Sequence, residues 1–276
     1  MKKYFFILSI LLCTSVLFAQ SAPTVFDDKP KKKIIKPALA KLSEKVNDIS
    51  TDEEFAESPA KGWYAIMRQV RDSKLKRQQA VDSMHNFIDD LNSYIMKSNP
   101  KVFKKSDWVF PVKGYTSSAI GGSNGSGYVL SDFDFFDNKT GGHPAHDIFI
   151  NDRNQDFVDD NTGKPVKILS MSGGIVVETR KNWTPEMMDI KGGNIVYVYD
   201  NFTDGLLYYA HLDKVFVNTG DFVEPGTELG TMGRTGKNAY PSRSPTHLHI
   251  MYVKNIEGDI KAFNLYDDLL KAKTIK

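Results

Sequence analysis

The sequence predicts an α+β chain. An antiparallel all-β domain, built as a two-sheet sandwich or a partly open barrel, is preceded by an α-helical segment and closed by a short C-terminal helix. Three observations carry this. Residues 38–99 place apolar side chains at spacings of three and four, the period of one helical face. From Trp108 onward, short runs rich in Val, Ile and Tyr alternate with Gly, Asp and Asn clusters, as strands joined by close turns do. From Lys261 onward, Phe263, Leu265, Leu269 and Leu270 read as a last helix. The division expected is a leader at 1–19, a linker at 20–37, a helical segment at 38–105, the β domain at 106–258 and the closing helix at 259–276.

The leader comes first. Lys2 and Lys3 precede a mostly apolar stretch from Tyr4 to Phe18, and the small Ala19 stands before Gln20. That is the layout of a secretory signal peptide, and the run is short for a membrane span. The expected location is extracytoplasmic (periplasm, cell envelope or secreted), with no stable membrane span after cleavage. The 276 residues carry a net charge of +2 and one cysteine, Cys13. Bulky Leu12 before it argues against a lipoprotein signal. Loss of residues 1–19 removes two lysines, no acid and that cysteine, so the remaining chain is net neutral and thiol-free. This excludes a disulfide framework and any Cys-rich zinc site, and speaks against a general nucleic-acid binder. Residues 20–37, with Pro23, Pro30, Pro37 and Lys31 to Lys33, read as a solvated tether.

In the helical segment, Leu39, Leu42, Val46 and Ile49 share one face, and Thr51 with Glu54 fits a capping box. Val81, Met84, Ile88, Leu91 and Ile95 form a second stripe, ended by Asn99-Pro100. Such stripes are packing surfaces. This segment is expected to pack on the β domain, on a partner or on a second copy, and one reading makes it an inhibitory cover. His85 on this helix stands apart from the other histidines.

The strand-like runs are Val166–Met171, Gly174–Thr179, Asn194–Tyr199, Leu206–Leu212 and His247–Val253. Five of six histidines fall in three short clusters: His143-Pro144-Ala145-His146-Asp147, Tyr209-Ala210-His211-Leu212 and His247-Leu248-His249-Ile250. In a strand, residues i and i+2 share a face. His247 and His249 should therefore project together while Leu248 and Ile250 enter the core, and Tyr209 and His211 should pair likewise. Paired imidazoles on one sheet face suit a metal, and His143 and Asp147 are the candidates to complete the site. Imidazoles plus one carboxylate, without thiolate, fit zinc with an open position or a non-haem iron triad. The helical His-Glu-x-x-His layout is absent.

The ordered set His-x-x-x-Asp, Tyr-x-His-Leu and His-Leu-His resembles the lysostaphin-type (M23, LytM) zinc endopeptidases. Gly163-Lys164-Pro165-Val166, Gly173-Gly174-Ile175-Val176, Gly193-Asn194, Gly220-Asp221-Phe222-Val223 with Gly226, and Gly233-Arg234-Thr235-Gly236 extend the likeness over roughly 106–258. The resemblance implies one zinc ion on His143, Asp147 and His249, with water in the fourth position. It implies a catalytic pair in His211 and His247, without assigning which is the base, and it leaves Tyr209 as a further substrate or oxyanion contact. The substrate it implies is peptidoglycan, cut in its cross-links or stem peptides. Departures are Ala145 for a frequent glycine, Met251 for a frequent acid, and Ser244-Pro245-Thr246 for a Gly-rich approach. None removes a site residue. The rival classes are a catalytically silent wall-binding or partner-activating module of the same family, and a non-haem iron enzyme. The intact His211 and His247 argue against both.

Two other signals are set aside. Gly121-Gly122-Ser123-Asn124-Gly125 matches a nucleophile elbow, but the Gly125-Ser126-Gly127 that follows cannot open the helix that motif needs. It reads as a loop lining the groove. Asp152, Asn154, Asp156, Asp159 and Asp160 can bind a structural calcium, although the EF-hand glycine and terminal glutamate are missing.

Overall fold

A computed structural model describes residues 59–137 and 141–276. The leader, the linker, the Leu39–Ile49 stripe and the Thr51–Glu54 box lie outside the described residues. Helices α1 (Lys61–Arg71) and α2 (Arg77–Ser98) come first. Nine strands follow: β1 (His146–Phe149), β2 (Lys167–Leu169), β3 (Gly174–Arg180), β4 (Asn194–Asp200), β5 (Gly205–Val215), β6 (Phe222–Val223), β7 (Glu228–Met232), β8 (His247–Ile256) and β9 (Asp259–Phe263). Helix α3 (Tyr266–Lys271) closes the chain.

All nine strands join one antiparallel, unclosed sheet, with the path β1-β8-β5-β4-β3-β6. It branches at β5. The first half of β5 pairs β4 and β8, while Leu212 and Val215 turn away to pair β7, which in turn pairs β2. A sandwich-like fold thus arises from one sheet that divides where a strand bends.

Both sheet faces are buried, each against a different partner. Ile148, Val196, Val198, Leu207, Tyr209, Leu248 and Ile250 form one core with Trp108, Phe110, Leu265 and Leu269. Ile175, Val177, Tyr199, Leu206, Val253 and Ile260 form the other, and α1 and α2 cover it through Trp63, Ile66, Val70, Met84, Phe87, Ile88 and Leu91. The predicted α2 stripe is buried throughout, and His85 is exposed. Asn99 ends α2 in the left-handed conformation, its N–H bonding the Ile95 carbonyl. Trp63 is fully buried, lies 5.3 Å from the Tyr197 ring, and donates its indole N–H to Glu178 at 2.8 Å. The helical layer is therefore docked on the β domain.

The expected closing helix is shorter than its apolar pattern suggests. Asp259–Phe263 is a strand, and α3 begins only at Tyr266. The cause is a tight hairpin: Glu257 and Gly258 both adopt positive φ (52° and 85°), which returns the chain alongside β8. Among the described residues, no helix is long and apolar enough to cross a membrane.

Trp63→Ala is expected to destabilise the protein by about 3–5 kcal/mol, because it opens a cavity in the helix–sheet core and leaves Glu178 without its indole partner. Denaturant unfolding measures this. Wild-type stability would show that the helices dock without supporting the sheet.

Candidate metal centre

Strands β1 and β8 run antiparallel with Asp147 opposite His249 and Phe149 opposite His247. Directly opposed residues point to the same face, so Asp147, His247 and His249 converge. Leu248 and Ile250 are fully buried on the other face, as alternation predicts. His143 lies just ahead of β1, pinned by two backbone hydrogen bonds with Val129 (2.6 and 2.8 Å). Its Nε2 lies 3.3 Å from Asp147 Oδ1 and 3.1 Å from His249 Nδ1, and His249 Nδ1 lies 3.0 Å from the same carboxylate oxygen. Among the described residues, His143, Asp147 and His249 are the one group of three whose ligand atoms all lie within 4.8 Å of each other. Two imidazole nitrogens and a carboxylate oxygen at one point form a donor set suited to a divalent cation.

His211 arrives by a route that alternation does not predict. It sits at φ 66°, in a bulge of β5. A bulge inserts one residue and re-aims the side chains after it. His211 consequently faces the same side as His247 and His249, with ring centroids 4.9 and 5.8 Å away. Tyr209 does not accompany it. Tyr209 is fully buried in the opposite core, where its hydroxyl accepts the Met171 N–H at 2.8 Å. Tyr209 is therefore a core residue, and the expected substrate or oxyanion contact is corrected. The tyrosine on the site face is Tyr208, whose ring lies 6.0 Å from His249. The registration of Tyr208 opposite Met251 and of Ala210 opposite His249 is invisible without the strand pairing.

Three imidazoles are held by backbone carbonyls. His143 Nδ1 lies 2.8 Å from Gly127 O, His211 Nδ1 2.8 Å from Thr235 O, and His247 Nδ1 2.8 Å from Pro245 O. A carbonyl only accepts, so each Nδ1 carries the proton and each Nε2 is free to face the cleft. The Gly121–Gly127 loop thus serves as an anchor for His143 through Gly127. His146 points away from the site, buried, with Nε2 2.9 Å from Asn264 Oδ1.

The oxygen-rich loop does not gather into a metal site. Asp152 accepts the N–H groups of Asp156 and Phe157 and the Thr246 hydroxyl. Asp159 accepts the Tyr115 hydroxyl, and Asp160 accepts Arg153 N–H. These carboxylates organise the loop itself, which corrects the calcium expectation. Asp152 also supports the site: Thr246, which it holds, is contacted by the buried Arg234, whose guanidinium grips the Ser244 and Pro241 carbonyls. This network fixes the chain just before His247, and nothing in the sequence pattern singles it out.

Charges follow the geometry. Burial alone would raise the Asp147 carboxyl, but hydrogen bonds from His143 and His249 hold it far below the usual carboxylate range. Burial lowers His143, and the Asp147 carboxylate more than reverses this. Burial, then the neighbouring His247 and His249, pushes His211 down to about 3. Burial also lowers His247, against the pull of Asp147. At neutral pH, His211 and His247 are uncharged bases.

A histidine lowered in the fold takes its proton in the unfolded chain first. Metal-free protein should therefore lose stability as pH falls below about 6.5, through the window down to about 3. Asp147 opposes folding on acidification only below its ordinary value of 3.8, and the raised His143 acts above 6.5, so the fall from pH 6.5 to about 4.5 comes from the lowered imidazoles of His211, His247 and His146. His211→Asn should flatten the fall in Tm over that range. A slope equal to that of the wild type would show that His211 is solvated.

The chain is similar to known proteins over part of its length. Residues 156–259 match peptidase family M23. That span holds His211, His247 and His249 and begins after His143 and Asp147, which the fold brings to it. Over 95 residues the chain is 35% identical to lysostaphin from Staphylococcus simulans and to lysostaphin from Staphylococcus staphylolyticus. Each match takes in 34% of this chain and 17% of the relative's length, so the likeness spans under one fifth of those proteins. Among solved structures, LytM of Ruminococcus gnavus is 22% identical, over 82% of this chain and 93% of that one, with a TM-score of 0.42. The catalytic domain of lysostaphin from Staphylococcus simulans is 25% identical, over 47% and 80%, with a TM-score of 0.34. The ordered His-Asp, His and His-x-His positions and the matched segment together make the β domain of this chain similar to peptidase family M23.

Proposed function

We propose that this chain is an extracytoplasmic zinc endopeptidase that cuts peptide bonds in peptidoglycan cross-links or stem peptides. The observation that carries the reading is the convergence of five groups: His143 Nε2, Asp147 Oδ1 and His249 Nδ1 at one point, with the imidazoles of His211 and His247 packed beside them. The match of residues 156–259 to peptidase family M23 supports peptidase chemistry, and the likeness to lysostaphin supports a cell-wall substrate. The leader at 1–19 supports export.

His143, Asp147 and His249 would hold the zinc, and two imidazoles with one carboxylate are a donor set that fits it. Zinc held there would supply Lewis acidity toward the scissile carbonyl and a more acidic water. The chain's own residues do the rest. His211 and His247 are uncharged at neutral pH, and each holds its Nδ1–H on a backbone carbonyl. One Nε2 accepts the proton of the attacking water. Returned from an imidazole, that proton reaches the leaving amine. The left-handed backbone at His211 and the Arg234–Thr246–Asp152 network keep the two rings at fixed positions, so little reorganisation is needed at the moment of reaction.

Residues 20–276, purified and assayed for metal and for release of muropeptides from sacculi, are expected to hold one zinc ion per chain and to cleave. His249→Ala should lose both. His211→Ala should keep the zinc and lose turnover by about 100-fold or more. Stoichiometric zinc with no muropeptide release would instead mark a wall-binding or partner-activating module.

A further inference from the structure

The proposed site is rich in acceptors and poor in donors. His211 and His247 use their only N–H groups on Thr235 and Pro245, so their Nε2 atoms offer lone pairs. Asp147 is a carboxylate, and His143 uses its Nδ1–H on Gly127. Among these four groups a peptide carbonyl entering this cleft finds no hydrogen-bond donor, and His249, with Nδ1 at the metal position, keeps its one proton on Nε2, the nitrogen turned from that position. Yet that oxygen gains negative charge when the peptide bond is attacked, and donors aimed at it are normally a large part of catalysis.

Tyr208 supplies the missing donor. It lies on the site face of β5, two residues before Ala210, the residue directly across from His249. Its ring meets His249 edge-on at 6.0 Å and rests on Tyr197 at 4.5 Å. Its hydroxyl reaches over Gly192: a Cβ there would collide with that oxygen. The Gly192 carbonyl in turn accepts the backbone N–H of His211. The phenol thus stretches from a proposed metal ligand to the segment that holds a proposed catalytic histidine. Its sequence neighbour Tyr209 bonds Met171, but among the described residues the Tyr208 hydroxyl has no hydrogen-bond partner. The residue is only partly buried, so a ligand can reach it.

We propose that the Tyr208 hydroxyl contacts the substrate, donating a hydrogen bond to a carbonyl oxygen of the bound peptide beside the metal position. Tyr197 and the side-chain-free Gly192 hold it at that angle. This inference rests on the reading of the site as a peptidase centre.

The test compares zinc-loaded wild type with Tyr208→Phe, which keeps the ring contacts with His249 and Tyr197 and removes only the O–H. Two readouts are used: kcat and KM on purified muropeptides, and calorimetric binding of a phosphinic pseudopeptide, whose tetrahedral oxygens mimic the attacked carbonyl. Zinc content and Tm should be unchanged. We expect kcat/KM to fall about 100-fold, mostly in kcat, and phosphinate binding to weaken about tenfold. Equal cleavage and equal phosphinate binding by the two proteins would overturn the inference, as would a loss seen in Tyr208→Ala but not in Tyr208→Phe, which would mark a packing role. A wild type that binds the phosphinate more tightly than Tyr208→Phe but releases no muropeptide would uphold Tyr208 and overturn the wall substrate. A wild type that neither binds nor cleaves would overturn both.

Discussion

The Asp147 carboxylate and the β1–β8 ladder that delivers it underlie the whole site. Three of the five convergent groups, Asp147, His247 and His249, sit on two paired strands, and their meeting requires Asp147 to stand opposite His249. A strand has a period of two, so a slip of one residue would exchange faces. His146 would then point into the cleft and Asp147 into an apolar core. The register is held by Ile148, Leu248 and Ile250, all fully buried on the other side. Hydrophobic burial on one face thereby sets the electrostatics on the other. The carboxylate in turn draws His143 and His249 together, with nitrogens 3.1 Å apart, a spacing that a shared cation rationalises.

A second layer of constraint comes from backbone carbonyls. Gly127, Thr235 and Pro245 belong to three loops far apart in sequence, yet each fixes the tautomer of one imidazole. Loops are usually the least determined parts of a fold. Here they are tied down by polar groups that are themselves buried. Arg234 gathers the 241–246 segment, Thr246 bridges to Asp152, and Thr235 donates its hydroxyl to the Leu212 carbonyl. The surface-looking Asp/Asn loop after β1 is thus part of the support for His247.

The helices complete the architecture. The sheet's site face continues past His249 through Met251 and Val253, and α1 and α2 cover that continuation. The aromatic sequence Tyr208, Tyr197, Trp63 runs from the histidines to the helical layer. With its core shared between helices and sheet, this layer is a wall of the β domain. It keeps apolar strand residues such as Leu206 and Val253 from water.

Local sequence pattern located most of the elements and pointed to the candidate chemistry. Period-two runs located β2, β3, β4, β5 and β8, period-3.6 spacing located α2, and three histidine clusters named the residues of the candidate site. These signals are local, since strand alternation and helical stripes are written within ten to twenty residues. What only tertiary structure decided depends on groups distant in the chain. The bulge at His211 breaks alternation where β5 passes from β8 to β7, so His211 joins His247 while Tyr209 stays in the core. The Glu257–Gly258 hairpin turned an apolar run that reads as helix into β9. The acidic loop became a hydrogen-bonded support because Thr246, about ninety residues later, reaches Asp152. In each case short-range pattern was overruled by the free energy of pairing strands and satisfying buried polar groups across the fold.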